Sequence, residues 1–449
     1  MPLLKTYIAI SVGYLLAQRR LFSADASTGA SQVFKNICLP ALIFSNVVPA
    51  FTSSNISALG PLFSIAFTYV GIGFLFGLLI REFFYVPRNF WQGIVVLCGM
   101  SNWGNLPSAI VSSIMTDSPI NPDADPELGI SYVAVFIVTY HFVFWITGVA
   151  RSLSWDYLPD VPQNSEAERL YSWKEKPIGG FIARRIRRKR VPSRSSSVNP
   201  ENVNIEADLE RSEQKNAKLE MDDTSSSMEA YDDSRQPSVQ HEISSTSPIQ
   251  PVPRSSPVPE SVETSATHMP PPPFLQRLKK ALQPASAAVT PITCTLVISV
   301  PVSLIPDLKA LFTPVTGGQI GQGRTGNHRS EFLGNMAVPL SLIILGASFA
   351  RLKISRPFSG LPIMAMIAAA VAKMIVLPII GIFVVQAMVR DRLIAKDALA
   401  ERFVAMFLSG TPAAVNQLIV SNLYSTTGEV DTLSAFLLVQ YVGMLFSST

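Results

Sequence analysis

From Ala58 to Ile80 the chain runs without a single charged side chain. At 1.5 Å per residue, a helix of that length crosses the ~30 Å hydrocarbon core of a bilayer. A helix apolar on every face is either the centre of a large core or a membrane span. Other long apolar stretches favour the second reading. The candidate spans are 2–18, 32–51, 58–80, 91–115 and 129–150 in the first half, and 285–306, 332–350, 361–388, 400–422 and 432–447 in the second. Only 15% of residues are charged, against roughly 25% in soluble domains. The fold class is therefore an all-α polytopic membrane protein. The first stretch is short enough to be a signal-peptide core, but it ends in Gln18-Arg19-Arg20, with its charges on the wrong side for cleavage. It reads as the first span. Gly71, Gly73 and Gly77 in the third span suit close helix approach.

Three blocks follow: a membrane half at 1–150, a loop at 151–284 and a second membrane half at 285–449. From about Pro159 to Pro273 the loop is rich in Ser, Pro, Glu and Asp and poor in aromatics. Its composition cannot bury enough apolar area to offset ordering entropy, so the expectation is disorder. Its basic run, Arg184-Arg185-Ile186-Arg187-Arg188-Lys189-Arg190, suits either anionic lipid at a cytoplasmic leaflet or a solvated, topology-setting charge cluster. Serines 193 and 195–197 make kinases candidate partners. Phe274 to Leu282 reads as a short basic surface helix.

The short loops set an orientation. Arg19, Arg20, Lys35, Arg81, Arg88 and Arg151 share one side of the first half, and Lys5 with four acidic residues takes the other. The excess of basic residues places the central loop in the cytosol and both termini outside or in a lumen. In the second half Arg351, Lys353 and Arg356 agree, whereas Lys309, Arg324, Arg329, Arg390, Arg392, Lys396 and Arg402 fall opposite. The endoplasmic reticulum and the plasma membrane fit this topology equally.

Two spans are interrupted in the same way. The fourth reads Cys98-Gly-Met-Ser-Asn102-Trp-Gly-Asn105-Leu-Pro107-Ser108, and the ninth reads Ser409-Gly-Thr-Pro412-Ala-Ala-Val-Asn416-Gln417. Proline removes a backbone donor and clashes with the preceding turn, so both helices should break. Non-helical backbone is tolerated at membrane depth only when it is buried in protein or lines a cavity. Matched broken helices in two halves point to a transporter's central site. Leu39-Pro40-Ala41-Leu42 in the second span and Val338-Pro339-Leu340-Ser341 in the seventh repeat the correspondence. Five spans per half make the halves inverted relative to each other.

Phe22-Ser23-Ala24-Asp25 with Cys38-Leu39-Pro40-Ala41-Leu42-Ile43-Phe44, together with Gly104-Asn105-Leu106-Pro107 and Thr411-Pro412-Ala413-Ala414-Val415-Asn416, resembles the auxin efflux carrier family. That family includes the plant PIN and PIN-like carriers and fungal and bacterial members, and this chain looks like a fungal-type one. The resemblance covers about 2–150 and 285–449. It implies ten helices in a five-plus-five inverted repeat of the bile-acid/sodium-symporter type, with two broken crossover helices. It also implies an elevator motion of spans 3–5 and 8–10 against spans 1, 2, 6 and 7, and small organic anions such as indole-3-acetate as substrates. On this chain the crossover would be Pro107 with Pro412, with Asn102, Asn105, Ser108, Asn416 and Gln417 near the substrate.

The third span lacks the ionisable residues of the plant carriers, while Lys373 sits near the middle of the eighth. An intramembrane ammonium is costly and usually functional. It would serve as a counter-charge, a proton carrier or a fixed substitute for a coupling cation, with snorkelling to an interface as the alternative. Tyr140 and His141 in the fifth span and Asn46 in the second are further candidates for the site. Uniport or proton coupling fits better than sodium symport, since no intramembrane carboxylate is visible. No HExxH, GxSxG or P-loop pattern is present, so the chain reads as neither an enzyme nor a primary pump, with no cofactor, metal or nucleic-acid partner. The competing reading is a scaffold protein acting through its loop. A second copy of the chain is a candidate partner.

Overall fold

The computed structural model describes residues 2–51, 56–104, 107–108, 110–111, 114–115, 126–163, 166–167, 169–190, 290–313, 330–352, 361–425 and 430–447. It divides into residues 1–184 with 273–449 and a second unit, 185–272, of which only the helical residues 185–190 are described. Among the described residues the regular structure is helical, apart from one isolated β-bridge.

The helices are α1 (Pro2–Gln18), α2 (Ala24–Val33), α3 (Leu39–Ala50), α4 (Ile56–Phe83), α5 (Trp91–Gly99), α6 (Pro126–His141), α7 (Val149–Ser152) and α8 (Pro177–Arg190). After the long loop come α9 (Pro291–Leu304), α10 (Pro306–Ala310), α11 (Ala337–Arg351), α12 (Ile363–Val371), α13 (Leu377–Arg390), α14 (Leu399–Ser409), α15 (Asn416–Tyr424) and α16 (Asp431–Ser447). Among the described residues, five continuous helices are long and apolar enough to cross a bilayer: Ala24–Ala50, Ser57–Phe83, Leu128–Ile146, Ser330–Arg351 and Ile363–Arg390. Their outward faces carry apolar side chains, among them Phe383 at 70% exposure and Leu75 at 52%. Such faces are stable in lipid and not in water.

Local chemistry explains where helices begin and bend. Ser23 caps α2, its hydroxyl accepting from the Ala26 amide at 3.2 Å, and Thr290 with Thr293 forms a capping box on α9. Of the three π-helical turns among the described residues, two, Phe34–Cys38 and Ala372–Val376, lie just before Pro40 and Pro378. Each proline lacks an amide and crowds the carbonyl four residues back, which widens the turn before it. Gly148, at φ 88°, follows the end of the helical stretch Leu128–Ile146.

Glycines set the tightest packing. A Cβ on Gly13 of α1 would strike the Ile343 backbone of α11, and one on Gly346 of α11 would strike the Ile10 backbone of α1. Gly77 of α4 would place a Cβ 2.6 Å from Val95 Cα of α5. Helix α9 packs on α3, with the Ser303 hydroxyl donating to Val48 O at 2.9 Å. The Lys309 ammonium donates to Pro49 O and Phe51 O at 3.0 and 2.7 Å. Arg402 likewise donates to Lys396 O. Of the basic residues that break the charge pattern of the second half, Lys309 is thus a helix-end ligand and Arg402 ties the turn before its own helix. Of the cysteines, Cys38 and Cys98 pack inside, but Cys294 is exposed on α9, so a packing role fits only the first two.

The loop is more ordered at its start than composition suggests. Asp156 accepts from the Gln92 and Gly93 amides at 3.0 and 2.6 Å, closing the N-terminus of α5, and α8 is a regular helix. Composition misses this because the order comes from caps between distant segments and not from a local core. Residues 191–289, including the candidate serines and Phe274 to Leu282, lie outside the described residues.

Candidate functional site

The site is built where two helices stop. Helix α5 ends at Gly99, residues 100–104 are non-helical, and helix resumes at Pro107 and Ser108. Helix α14 ends at Ser409, and α15 begins only at Asn416. The two unwound stretches run antiparallel and pair: Asn102 N donates to Pro412 O at 2.7 Å, and Ala414 N donates to Met100 O at 3.2 Å, bridging Ser101 with Ala413. Buried backbone without such partners would cost several kcal/mol per group, about 4–8 in a purely apolar medium. The strands therefore satisfy each other.

Pro412 has no amide to give Leu408 O, its partner in a regular helix. That carbonyl instead accepts from the Trp103 indole at 2.9 Å and the Thr411 hydroxyl at 3.1 Å. The Ala413 amide donates to the Gln440 side chain of α16 at 2.8 Å. The contact thus lies at Met100–Asn102 with Pro412–Ala414, upstream of the expected meeting of Pro107 with Pro412. The physical reason is that a proline frees the carbonyl four residues back and forces its predecessor to extend, so the break forms before it.

Lys373 lies behind this crossover. It is 0% exposed, and its ammonium donates to Cys98 O at 3.1 Å and Ser101 Oγ at 2.9 Å. Cys98 is one residue from the end of α5, where the helix dipole is negative, so the cation complements it. Lys373 is enclosed by protein groups, and its ammonium does not reach an exposed surface.

In front of the crossover is a cavity of about 380 Å³. One wall is α1, α3 and α11, with Lys5, Thr6, Leu39, Ile43, Asn46 and Pro339. The other is Ser101 to Gly104, Ala414 to Asn416, Ile137, Tyr140, His141 and Tyr441. Asn102 is fixed in two directions, its amide donating to the Tyr441 hydroxyl at 3.0 Å and its Oδ1 accepting from Gly104 N at 3.3 Å. Among the described residues, His141 Nδ1 is buried without a hydrogen-bond partner, and the buried Tyr140 hydroxyl lies beside the Asn416 side chain but outside good hydrogen-bond geometry. The N-terminus of α15 opens on the same space. Lys5 is the one charged side chain on the described wall, and no carboxylate joins it.

Asn46, Asn102, Tyr140, His141 and Asn416 are thus brought together on the cavity wall. Gln417 is buried behind it, its amide donating to Gly93 O at 2.8 Å and tying α15 to α5. Pro412 contributes its carbonyl to the crossover, while Pro107 and Ser108 stay off the wall and Asn105 lies outside the described residues. Sequence reasoning missed Ser101, Trp103, Gln440, Tyr441 and Lys5. Gln440 and Tyr441, polar groups inside an otherwise apolar last span, were the available signal.

A family model described as membrane transport protein matches residues 1–449. The chain is similar to three proteins of Saccharomyces cerevisiae. The uncharacterized transporter YNL095C is 26% identical over 156 residues, 35% of this chain and 24% of that protein. The uncharacterized transporter YLR152C is 26% identical over 165 residues, 37% and 28% respectively. Protein ECM3 is 28% identical over 159 residues, 35% and 25%. The matched stretches span about a quarter of these relatives.

Proposed function

The chain belongs to the membrane transport protein family and is an integral, multi-pass membrane protein, and from that premise we propose that it is a secondary transporter of small organic anions. The observation that carries the reading is the cavity's electrostatics. Lys5 stands on the wall, Lys373 is one hydrogen bond behind it through Ser101, and a half-helix N-terminus faces it, with no acidic side chain on the described wall. Positive partial charge at a helix N-terminus favours a carboxylate. The apolar lining, the Tyr140 hydroxyl and the unpartnered His141 atom suit a compact body with a few acceptors. Auxin-like carboxylates and related metabolites are of this kind.

We further propose ten spans in an inverted repeat, with elevator motion. Helix α1 packs on α11, and α9 packs on α3. Exchanging the halves turns the first pair, spans 1 and 7, into the second, spans 6 and 2. The cavity separates these helices from the crossover helices, as a fixed scaffold and a moving block would require. Uniport or proton coupling is proposed over sodium symport, because Lys373 already puts a fixed positive charge at the crossover and no carboxylate lies on the described wall.

The test is reconstitution of the full chain into liposomes with a panel of labelled organic anions, with and without proton and sodium gradients. The expected result is saturable uptake of a carboxylate that needs no sodium and drops at least tenfold in Asn416→Ala. Uptake of none of the anions by a folded protein would refute the substrate class, and strict sodium dependence would refute the coupling.

A further inference from the structure

The described part of the loop ends in a helix whose outer face is uncovered. On α8, Ile178, Phe181, Ile182 and Ile186 recur at i, i+3, i+4 and i+8, one face of a helix, and all are exposed, Phe181 at 56%. The inner face is glycine: a Cβ on Gly180 would lie 2.8 Å from Lys174 O, and one on Gly179 would strike Trp173 O. Six of the seven residues from Arg184 to Arg190 are Arg or Lys.

This helix is locked to the end of the third span by reciprocal caps. The Lys176 ammonium donates to the carbonyls of Arg81, Glu82 and Phe84 at 2.8, 3.0 and 2.6 Å, closing the C-terminus of α4. The buried Glu82 carboxylate accepts from Ile178 N and Gly179 N, both at 3.3 Å, closing the N-terminus of α8. Each charge meets the helix end of opposite sign. The clamp sets α8 at the level where a membrane span leaves the hydrocarbon. Exposed aromatics surround that level: Phe83 and Phe84 at the end of α4, Trp155 beside the start of α5, and Trp173 just before α8. Aromatic side chains gather at membrane interfaces.

We propose that α8 is an interfacial helix that binds anionic phospholipid headgroups on the leaflet where the third span ends. Its apolar residues enter the headgroup boundary, and its guanidinium groups take lipid phosphates and carboxylates. A free phosphate would engage the charges but leave Phe181 and Ile182 in water, so a lipid is the occupant that satisfies both features. Lipid binding itself is independent of what the chain transports.

The experiment uses the full chain in nanodiscs of phosphatidylcholine alone or with about 30% phosphatidylserine, read by hydrogen exchange of the α8 amides. Protection of α8 is expected to rise tenfold or more with phosphatidylserine and to shrink in about 0.5 M salt. Each basic residue at the surface contributes about fivefold in binding. Replacing all six with Gln should abolish the lipid dependence while leaving α4 and α5 exchange unchanged. Phe181→Gln with Ile182→Gln should lower protection in both lipids. Equal exchange in the two discs, or lipid dependence that survives charge removal, overturns the proposal. Protection that arises only on adding calcium-loaded calmodulin, an acidic binder of basic helices, also overturns it and assigns the face to a protein.

Discussion

Replacing Lys373 with Met separates the charge of the crossover from its shape. The two hydrogen bonds lost, to Cys98 O and Ser101 Oγ, are charge-assisted and worth roughly 1.5–3 kcal/mol each. Interaction with the C-terminal dipole of α5 adds up to about 2 kcal/mol. Opposing this, a fully buried ammonium carries a desolvation penalty of several kcal/mol that Met does not. The net loss of fold stability is about 1–3 kcal/mol, a shift of a few degrees in thermal midpoint. The effect on an anion in the cavity is not offset in the same way. For charges about 8 Å apart at an effective dielectric of 20, the attraction is roughly 2 kcal/mol, or roughly thirtyfold in affinity. Saturable uptake into proteoliposomes should therefore show KM raised tens-fold in Lys373→Met. Ser101→Ala, which keeps the charge, should change KM less than threefold. A folded Lys373→Met protein with unchanged KM, or a Ser101→Ala variant equally impaired, would refute the electrostatic reasoning.

Three further expectations follow from other parts of the fold. Tyr140→Phe removes a buried hydroxyl that makes no hydrogen bond of good geometry, so thermal stability should change by less than about 1 kcal/mol. A substrate bonded to that hydroxyl would lose about 1 kcal/mol, a KM increase of roughly fivefold, and uptake kinetics beside a melting curve distinguish the two. Gly346→Leu drives a side chain into the Ile10 backbone and should cost about 3 kcal/mol or more, seen as loss of the monodisperse peak in size-exclusion chromatography. Burial pushes the Asp156 carboxyl up to about 6 against 3.8, with the Gln92 and Gly93 amides and nearby Arg88 and Arg81 opposing the rise. Since its folded value lies above its unfolded one, stability is greatest below the unfolded value and falls as pH rises towards 6. Going from pH 7 to pH 5 should add about 1 kcal/mol. Asp156→Asn should remove that increment from the difference in melting midpoint between the two pH values.

Much of this was legible in the chain because its causes are local. Apolar runs mark the long helices, and Pro107 and Pro412 mark the breaks, each acting within one or two turns of itself; the starts at Ala24 and Pro291, capped by Ser23 and Thr290, differ from the expected 32 and 285. The amides that line the cavity could be nominated for the same reason, since Asn102 and Asn416 sit beside those breaks. Tertiary structure decided which groups answer them. Trp103, in the other unwound stretch, meets the carbonyl freed by Pro412 across a separation of 305 residues, and Lys373 closes α5 across a separation of 275. The same holds for Glu82 and Lys176, which order a segment that composition assigns to disorder. A proline announces that a partner is needed, because a buried carbonyl must be satisfied; which side chain supplies it depends on the packing of helices whose separation no local pattern encodes.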